Sequence, residues 1–363
     1  MTGVVLVDAG RSGVVPDLPG LPETPGRLTE DVIEALLRRT CLQRSELTRL
    51  FLADPRCLST GSPVGEAGWI FEPPPLGLRT TVSMSSSVSM TQAVRAIEQD
   101  PDVIAVVAAT DFGTGTSYHG DSAAAVHRQQ HMARVVAAWW DLVPDELADW
   151  ARSSCTRSAE CSAAGDFAGE IVATTGSYGT DRFRAPDSAD GDGADRTPKR
   201  ELVDDGAAFT AHPARGASAI ILAGEANAIR LGLRIRARLS AVCATRARAE
   251  FGIAPLSARA LDELLAPSGF GLGALDQLEV PEQYAVTPVA WIKETGISEY
   301  LVNPRGGDLA FGHLPRSGHL RSLVTMANSL EATGGWAGAL VASEIHRTTA
   351  FVLATTDSTT SRG

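Results

Sequence analysis

Short runs of apolar residues alternate along the chain with segments in which apolar residues recur every three or four positions. Residues 4–10, 103–109 and 216–222 are runs of the first kind, and their length is typical of buried strands. Residues 29–37 and 88–97 have the second pattern, which predicts two helices, the first of them capped by Thr29. Strands that alternate with helices predict an α/β sheet covered on both faces.

The pattern changes near residue 113 and returns near residue 201. Between these points lie two helical segments, 131–140 and 144–164, and then residues 185–200, whose Asp, Gly, Ala and Pro predict a mobile acidic loop. Strand candidates at 234–244, 339–342 and 349–354 repeat the first alternation, so we expect a fold built twice. The expected units are an N-terminal half (1–112 plus 201–226), an inserted domain (113–200) and a C-terminal half (227–363).

Composition narrows the class of protein. The chain has 363 residues with 32 basic and 43 acidic side chains, a net charge of −11 that argues against binding to nucleic acid. No apolar run approaches the roughly 18 residues of a membrane span, and the first residues lack a signal-peptide pattern. Five scattered cysteines without a CxxC pair, and no His/Asp/Glu set with ligand spacing, predict neither disulfides nor a metal. We expect a soluble cytoplasmic protein.

Several segments, in this order, resemble motifs of the thiolase family. They are VLVDAGRS at 5–12, residues 146–171 with AAGDFAGEI, GASAIILAGE at 216–225 and NPRGGDLAFGH at 303–313. The resemblance covers nearly the whole chain. It implies an α/β fold of two similar halves stacked in five layers, with an inserted loop domain that binds coenzyme A.

The sequence departs from the thiolase pattern at the positions that carry the family's chemistry. The resemblance places Ser87 in the slot of the nucleophilic cysteine, or Ser86 if the register shifts by one residue. Ala342 stands where the family has its second, acid/base cysteine, and Pro281 replaces the asparagine that holds a catalytic water. The coenzyme A loop corresponds to residues 208–217, which include His212 and have lost most of the small polar residues.

The remaining polar residues predict acyl transfer through a serine. A serine hydroxyl needs an adjacent general base, because a helix N-terminus alone leaves an alcohol protonated. His313 ends the best-matching motif, in which the family's histidine faces the nucleophile, so it is the expected base. Glu344 and His346 lie on the replaced second-cysteine loop and are further catalytic candidates. Ser86, Asn303, Gly312, Ala342, Pro281 and His212 are the candidate substrate contacts.

Two functions from different classes remain open at this point. The first is an acyltransferase of specialised metabolism that moves an acyl group from a coenzyme A or acyl carrier protein thioester to an acceptor, with no bound cofactor. The second is a non-catalytic thiolase-like subunit that pairs with an active enzyme. A third possibility is an enzyme that forms no covalent intermediate, in which His313 acts directly on the bound thioester.

The resemblance also implies association into a homodimer or tetramer. Thiolase-like folds pair through an edge strand, and residues 103–109 are the expected edge because they are apolar on both faces and carry no charge.

Overall fold

The computed structural model describes residues 3–17, 25–53, 78–83, 85–112, 123–174, 178–182, 200–203, 206–244, 254–344 and 347–356. Its strands are β1 (Val4–Arg11), β2 (Val15–Pro16), β3 (Arg49–Ala53), β4 (Arg79–Ser83), β5 (Ile104–Phe112), β6 (Arg200–Val203), β7 (Gly206–Phe209), β8 (Ala214–Gly224), β9 (Ala237–Ala244), β10 (Gln277–Glu279), β11 (Ala337–Glu344) and β12 (Arg347–Thr355). Its helices are α1 (Pro25–Thr40), α2 (Ser86–Gln99), α3 (Ala123–Trp139), α4 (Pro144–Ala164), α5 (Glu225–Arg230), α6 (Ala258–Leu265), α7 (Val286–Thr295), α8 (Asp308–Phe311) and α9 (Gly318–Thr333).

Two sets of strands repeat one topology. In the first set the order is β1-β8-β5-β3-β4, and in the second it is β9-β12-β11-β10. In each set, the first strand along the chain pairs antiparallel with the last strand, and the last strand pairs antiparallel with the strand before it. That strand then pairs in parallel with the second strand of the set. The sets meet where β1 pairs antiparallel with β9. The fold is therefore built twice, as the hydrophobic pattern predicts.

The helices form three layers that enclose the two sheets. Alternate side chains of β5 point to opposite faces: Val106 packs with α1 in an outer core, and Val107 packs with α2 in a central core. The central core also contains α9 and side chains of β11 and β12, whereas α6 and α7 cover the outer face of the second sheet. Strands buried on both faces explain the uninterrupted apolar runs in the sequence.

The structure changes several details of the predicted elements. Helix α1 begins at Pro25, so Thr29 is a buried residue inside the helix rather than its cap. The predicted helix at 131–140 begins earlier, at Ala123, and β3 has no counterpart among the predicted strands. The predicted acidic loop at 185–200 lies almost entirely outside the described residues. None of the described helices is long and apolar enough to cross a membrane.

The predicted edge strand is wrong. Residues 104–112 form β5, which lies inside the sheet between β3 and β8, and its apolar residues face helices on both sides. The large sheet ends at β4 and at β10, and the outer side of β10 carries a bridge from Leu278 to Val302. Among the described residues, β4 is therefore the more open end of this sheet.

A fully buried arginine ties the first sheet to the segment that follows α4. Arg11 forms ion pairs of 2.6 Å with Glu170 and with Asp181, and Thr325 of α9 donates a hydrogen bond of 3.0 Å to Glu170. Burial disfavours the charge of Arg11, but the two carboxylates outweigh it and raise the pKa of the guanidinium. Arg11 thus holds together β1, the segment that follows α4 and, through Glu170, helix α9.

Replacing Arg11 with methionine is expected to lower the free energy of unfolding by about 3–5 kcal/mol, because two buried carboxylates lose their counter-charge. Urea unfolding followed by circular dichroism measures the change. The control is Arg259→Met, which breaks an exposed pair between Arg259 and Glu263 on α6 and should change the urea midpoint little. Equal midpoints for the two variants would contradict a structural role for Arg11.

Candidate active site

Ser87 lies in the first turn of α2, directly after strand β4. The helix is capped by Ser85, whose hydroxyl accepts a hydrogen bond of 3.4 Å from the Val88 amide. The hydroxyls of Ser85 and Ser87 are 3.0 Å apart. The cap is thus Ser85 and not Ser87, so the presence of Ser87 is not explained by helix capping. Its hydroxyl lies at the positive end of a 14-residue helix.

Ser86, the alternative nucleophile, is engaged by the start of α9. Its amide donates a hydrogen bond of 3.0 Å to the carbonyl of Arg316, and its hydroxyl accepts one of 3.3 Å from the Leu320 amide. The side chain is fully buried. These bonds bring the N-terminus of α2 against the turn between His313 and α9, and they engage the Ser86 hydroxyl in the packing of α9.

Asp111 of β5 holds the same turn from the other side. Its carboxylate accepts hydrogen bonds from the amide of Arg316 and from both the amide and the hydroxyl of Ser317, the last two at 2.8 and 2.7 Å. Burial raises the pKa of Asp111, and its bonds to Ser317 and the charge of Arg316 oppose that effect only in part. The turn is therefore fixed to both the sheet and the start of α2.

His313 contacts an acidic side chain five residues earlier. Its Nδ1 lies 3.5 Å from Oδ2 of Asp308, and Oδ1 of Asp308 lies 3.3 Å from Nη2 of Arg321. Burial acts to raise the pKa of Asp308, but the hydrogen bond with His313 and the charge of Arg321 outweigh it, so the pKa lies below its ordinary value. Asp308 is therefore ionised at neutral pH and faces the imidazole.

Gly312 makes the reversal between α8 and His313 possible. Its φ is +97°, a conformation that side chains with a Cβ rarely adopt, and a Cβ there would overlap Ala214. After this turn the amide of His313 donates a bond of 2.7 Å to the carbonyl of His212, and its own carbonyl accepts one of 3.0 Å from Ala214. His212 and Gly312, both candidate substrate contacts, thus lie beside His313.

The segment that contains Pro281 lies next to these residues. Thr210 forms a bridge with Tyr284, and Ala211 donates 2.8 Å to the carbonyl of Gln283. A ladder of backbone bonds therefore connects residues 283–284 with 210–212, and those in turn with His313. Pro281 itself is partly exposed.

Asn303 and Glu282 form a buried network behind the site. The Asn303 side chain accepts from the amide of Val280 and donates to its carbonyl, at 2.9 and 3.1 Å. Glu282 accepts from Trp150 at 2.6 Å and from Ser154 at 2.7 Å, both on α4. The described bonds of Asn303 thus fix the chain path before α8, while Glu282 attaches α4 to the same region.

The replaced second-cysteine loop is described only in part. Ala342 lies in β11 opposite Thr349 and is buried in the central core. The backbone of Glu344 ends this strand, but its side chain and all of His346 lie outside the described residues. Within the described residues, no group of three His, Cys, Asp or Glu side chains is arranged to hold a metal ion.

Glu279 of β10 is a buried carboxylate close to Asp308 and Arg321. Burial raises its pKa to about 7, while the charge of Arg321 and a 2.8 Å hydrogen bond from Gln277 act in the opposite direction. The charges of Glu282 and Asp308 raise the pKa further. Glu279 therefore keeps its proton in the folded protein under conditions in which an exposed glutamate has lost it.

This proton makes stability depend on pH. The pKa of Glu279 is about 7 in the folded protein and has the ordinary value of 4.5 in the unfolded chain. The contribution of protonated Glu279 to stability is therefore present at low pH and is lost as pH rises through about 7. Relative to the unchanged protein, Glu279→Gln should gain about 2 kcal/mol in free energy of unfolding between about pH 5.5 and about pH 8. Urea titrations at both pH values measure this gain. Glu263→Gln, an exposed control, should show no such change, and a pH-independent difference for Glu279→Gln would contradict the burial argument.

The structure adds residues that the sequence did not single out. Asp308, Arg321, Asp111 and Glu282 are buried and bonded around the turn that carries His313. Of these four residues, only Asp308 and Arg321 could have been suggested by the sequence, because both are charged and lie within a few positions of His313. The described contacts bring Ser86, Gly312, His212 and His313 into one region together with Ser87, while those of Asn303 and Ala342 are with the surrounding scaffold.

The comparisons with known proteins agree with this architecture. The family model for the thiolase C-terminal domain matches residues 233–351. Steroid 3-ketoacyl-CoA thiolase FadA6 of Mycobacterium tuberculosis is 28% identical over 273 residues, 71% of this chain and 65% of that protein. Cytosolic acetyl-CoA acetyltransferase of Mus musculus is 33% identical over 126 residues, 34% of this chain and 31% of that protein. The matched segments therefore span less than two thirds of these relatives' own length.

A solved structure resembles the whole chain. Human mitochondrial 3-ketoacyl-CoA thiolase superposes with a TM-score of 0.78, covering 98% of this chain and 99% of that one, at 19% sequence identity. At this identity the likeness shows the fold, which is the duplicated α/β fold expected from the motifs. The matched C-terminal domain and the relatives along the sequence support membership of the chain in the thiolase family.

Proposed function

We propose that the protein is a thiolase-fold acyltransferase in which Ser87 carries the acyl group and His313 is the general base. The observation that supports it most is the bond between the Ser86 amide and the Arg316 carbonyl. It joins the helix start that bears Ser87 to the turn that follows His313. Two relatives are named for reactions of coenzyme A thioesters, so the proposed donor is an acyl-coenzyme A, with an acyl carrier protein thioester as the alternative.

The proposed reaction has two transfers. The Ser87 hydroxyl gives its proton to His313 while its oxygen bonds to the thioester carbon, and the carbon–sulfur bond breaks to release the thiol. In the second transfer an alcohol, amine or carbon acceptor loses a proton to His313 and takes the acyl group, and Ser87 regains its proton. Amides at the start of α2 could stabilise the oxyanion of both steps. Such group transfers are typical of specialised biosynthesis.

The Claisen reaction of ordinary thiolases demands more than this site offers. It requires an acid/base group at the position of Ala342 and a water-holding side chain at the position of Pro281. Loss of one oxyanion donor costs about 10²–10³ in rate, and loss of the acid/base group roughly another 10²–10⁴. We therefore expect acyl transfer without efficient cleavage of 3-ketoacyl thioesters.

Intact-mass spectrometry tests the proposal. The purified protein is incubated with a panel of acyl-coenzyme A thioesters of increasing chain length, and then with acyl groups on a carrier protein. A mass increase equal to one acyl group, located on Ser87 by peptide mapping, is the expected result. Thiolysis of acetoacetyl-coenzyme A on the same preparation should be at least about a thousandfold below that of a working thiolase. No adduct and no turnover with any thioester would instead favour a non-catalytic thiolase-like subunit.

We also propose that two copies associate through β4. This strand has three partly exposed residues in succession, Thr80, Thr81 and Val82, and its single charged side chain is Arg79. Unpaired backbone groups on such an edge can pair with a second copy of the strand. Light scattering at micromolar concentration should give at least twice the mass of one chain. The Arg79 amide donates to Thr48 beside β3, and amide directions alternate along a strand, so the Thr80 amide faces the open edge. A Thr80→Pro variant, which removes this edge donor, should shift the protein to the monomer; a purely monomeric unchanged protein would contradict the proposal.

A further inference from the structure

Asp308 is a buried carboxylate beside the imidazole of His313. It is the first residue of α8 and is 8% exposed. Four helical residues and the turn at Gly312 bring the chain back, so that Nδ1 of His313 lies 3.5 Å from Oδ2 of Asp308. The contact depends on this local reversal and not on a distant part of the chain.

The carboxylate of Asp308 is fixed on its other side by Arg321. Nη2 of Arg321 lies 3.3 Å from Oδ1 of Asp308 and donates 2.9 Å to the hydroxyl of Ser322. The guanidinium stands 4.5 Å from the ring centre of Phe311, and the side chain is 1% exposed. These contacts hold the Arg321 guanidinium beside Oδ1 of Asp308, and the second carboxylate oxygen faces His313.

The surroundings keep Asp308 charged. His313 and Arg321 contact it directly, and His319 of α9 adds a third favourable charge when protonated. Glu279 and Glu282 are the acidic groups that face the same carboxylate. The balance favours the ionised form, in agreement with the lowered pKa of Asp308.

An ionised carboxylate at Nδ1 has a defined effect on a histidine base. It accepts the Nδ1 proton, which makes Nε2 the basic nitrogen, and it stabilises the imidazolium that forms when Nε2 takes a proton. The carboxylate stays ionised throughout. Asp308 therefore has the charge, the orientation and the neighbour that such a role requires.

We infer that Asp308 is a positioning residue that orients His313 and stabilises its protonated form during acyl transfer. The inference rests on the proposed function and extends it: Ser87, His313 and Asp308 would act as a serine triad. In the acylation step the Ser87 proton moves to Nε2, the serine oxygen bonds to the acyl carbon, and the proton leaves with the thiol sulfur. Asp308 neither gains nor loses a proton in either transfer.

Single-turnover acylation by the acyl-coenzyme A that labels the unchanged protein tests this role. Asp308→Asn should slow acylation at saturating thioester by roughly 10²–10⁴-fold, with the half-saturating concentration nearly unchanged. Asp308→Glu should recover part of the rate, because it keeps the charge. The matched control is Asp145→Asn, which removes an exposed aspartate from the first turn of α4 and should leave the rate unchanged.

The same substitutions in a Ser87→Cys protein separate positioning from folding. A thiol ionises more readily than a hydroxyl and depends less on a base, so Asp308→Asn should cost less than about tenfold there. Equal losses in the serine and cysteine proteins would mean that Asp308 is merely structural and would overturn the inference. If Asp308→Asn leaves the rate of adduct formation unaffected, the inference about Asp308 is overturned and the proposed function stands. If the unchanged protein forms no adduct, the proposed function is overturned as well.

Discussion

Replacing Ser87 with alanine is expected to abolish the covalent acyl adduct. The hydroxyl of Ser87 lies in the first turn of α2, beside the Ser85 cap, and alanine removes the only oxygen that could bond to the acyl carbon at this position. Because Ser85 supplies the cap bond to Val88, the helix should keep its start in the variant. Intact mass after incubation with the acyl donor measures the loss, and circular dichroism checks the fold.

Two further variants sharpen the result for Ser87. Ser87→Cys should keep or increase the adduct, since a helix N-terminus lowers the pKa of a thiol and a thiolate is the better nucleophile. Ser86→Ala should leave the adduct in place, because the Ser86 hydroxyl accepts from the Leu320 amide and serves the packing of α9. An adduct that persists in Ser87→Ala and disappears in Ser86→Ala would move the nucleophile by one residue. Full turnover by Ser87→Ala would favour the route without a covalent step.

Replacing His313 with alanine should slow acylation by roughly 10²–10⁴-fold, the usual contribution of a general base. Rapid-quench kinetics with mass detection measures this rate. His131→Ala, an exposed histidine on α3, is the control and should behave like the unchanged protein. A His313→Ala protein with an unaltered rate would transfer the role of base to His346 or Glu344.

The strand pattern could be predicted from the sequence because its cause is local. Residues 104–109 of β5 alternate between two cores, so each of these positions is apolar and the run is visible without knowledge of the neighbours. Which strands are neighbours could not be predicted in the same way. The position of β5 inside the sheet results from its pairing with β8, which lies beyond the inserted segment, and this pairing leaves no mark on residues 103–109 themselves.

The motifs account for the part of the candidate site that the sequence predicts. Ser87 and His313 follow from the order of the matched segments, and the structure places their surroundings in contact. Asp111 and Glu282 could not be predicted, because each acts through a partner in a distant part of the chain: Ser317 and Trp150. The role of a buried charged residue depends on the group that it contacts, and the sequence alone does not identify that group.

The place of β8 in the first sheet determines when that sheet can form during synthesis. The strand separates β1 from β5, and its register pairs Val4 with Gly224. The first half therefore cannot close until the ribosome has made the whole inserted segment and all of β8. Until then the strand that lies between β1 and β5 is missing. Bringing β8 together with strands so distant along the chain slows folding. The nascent chain must carry β1 without its partner strands for more than half of its synthesis, and such exposed apolar surface favours binding by chaperones.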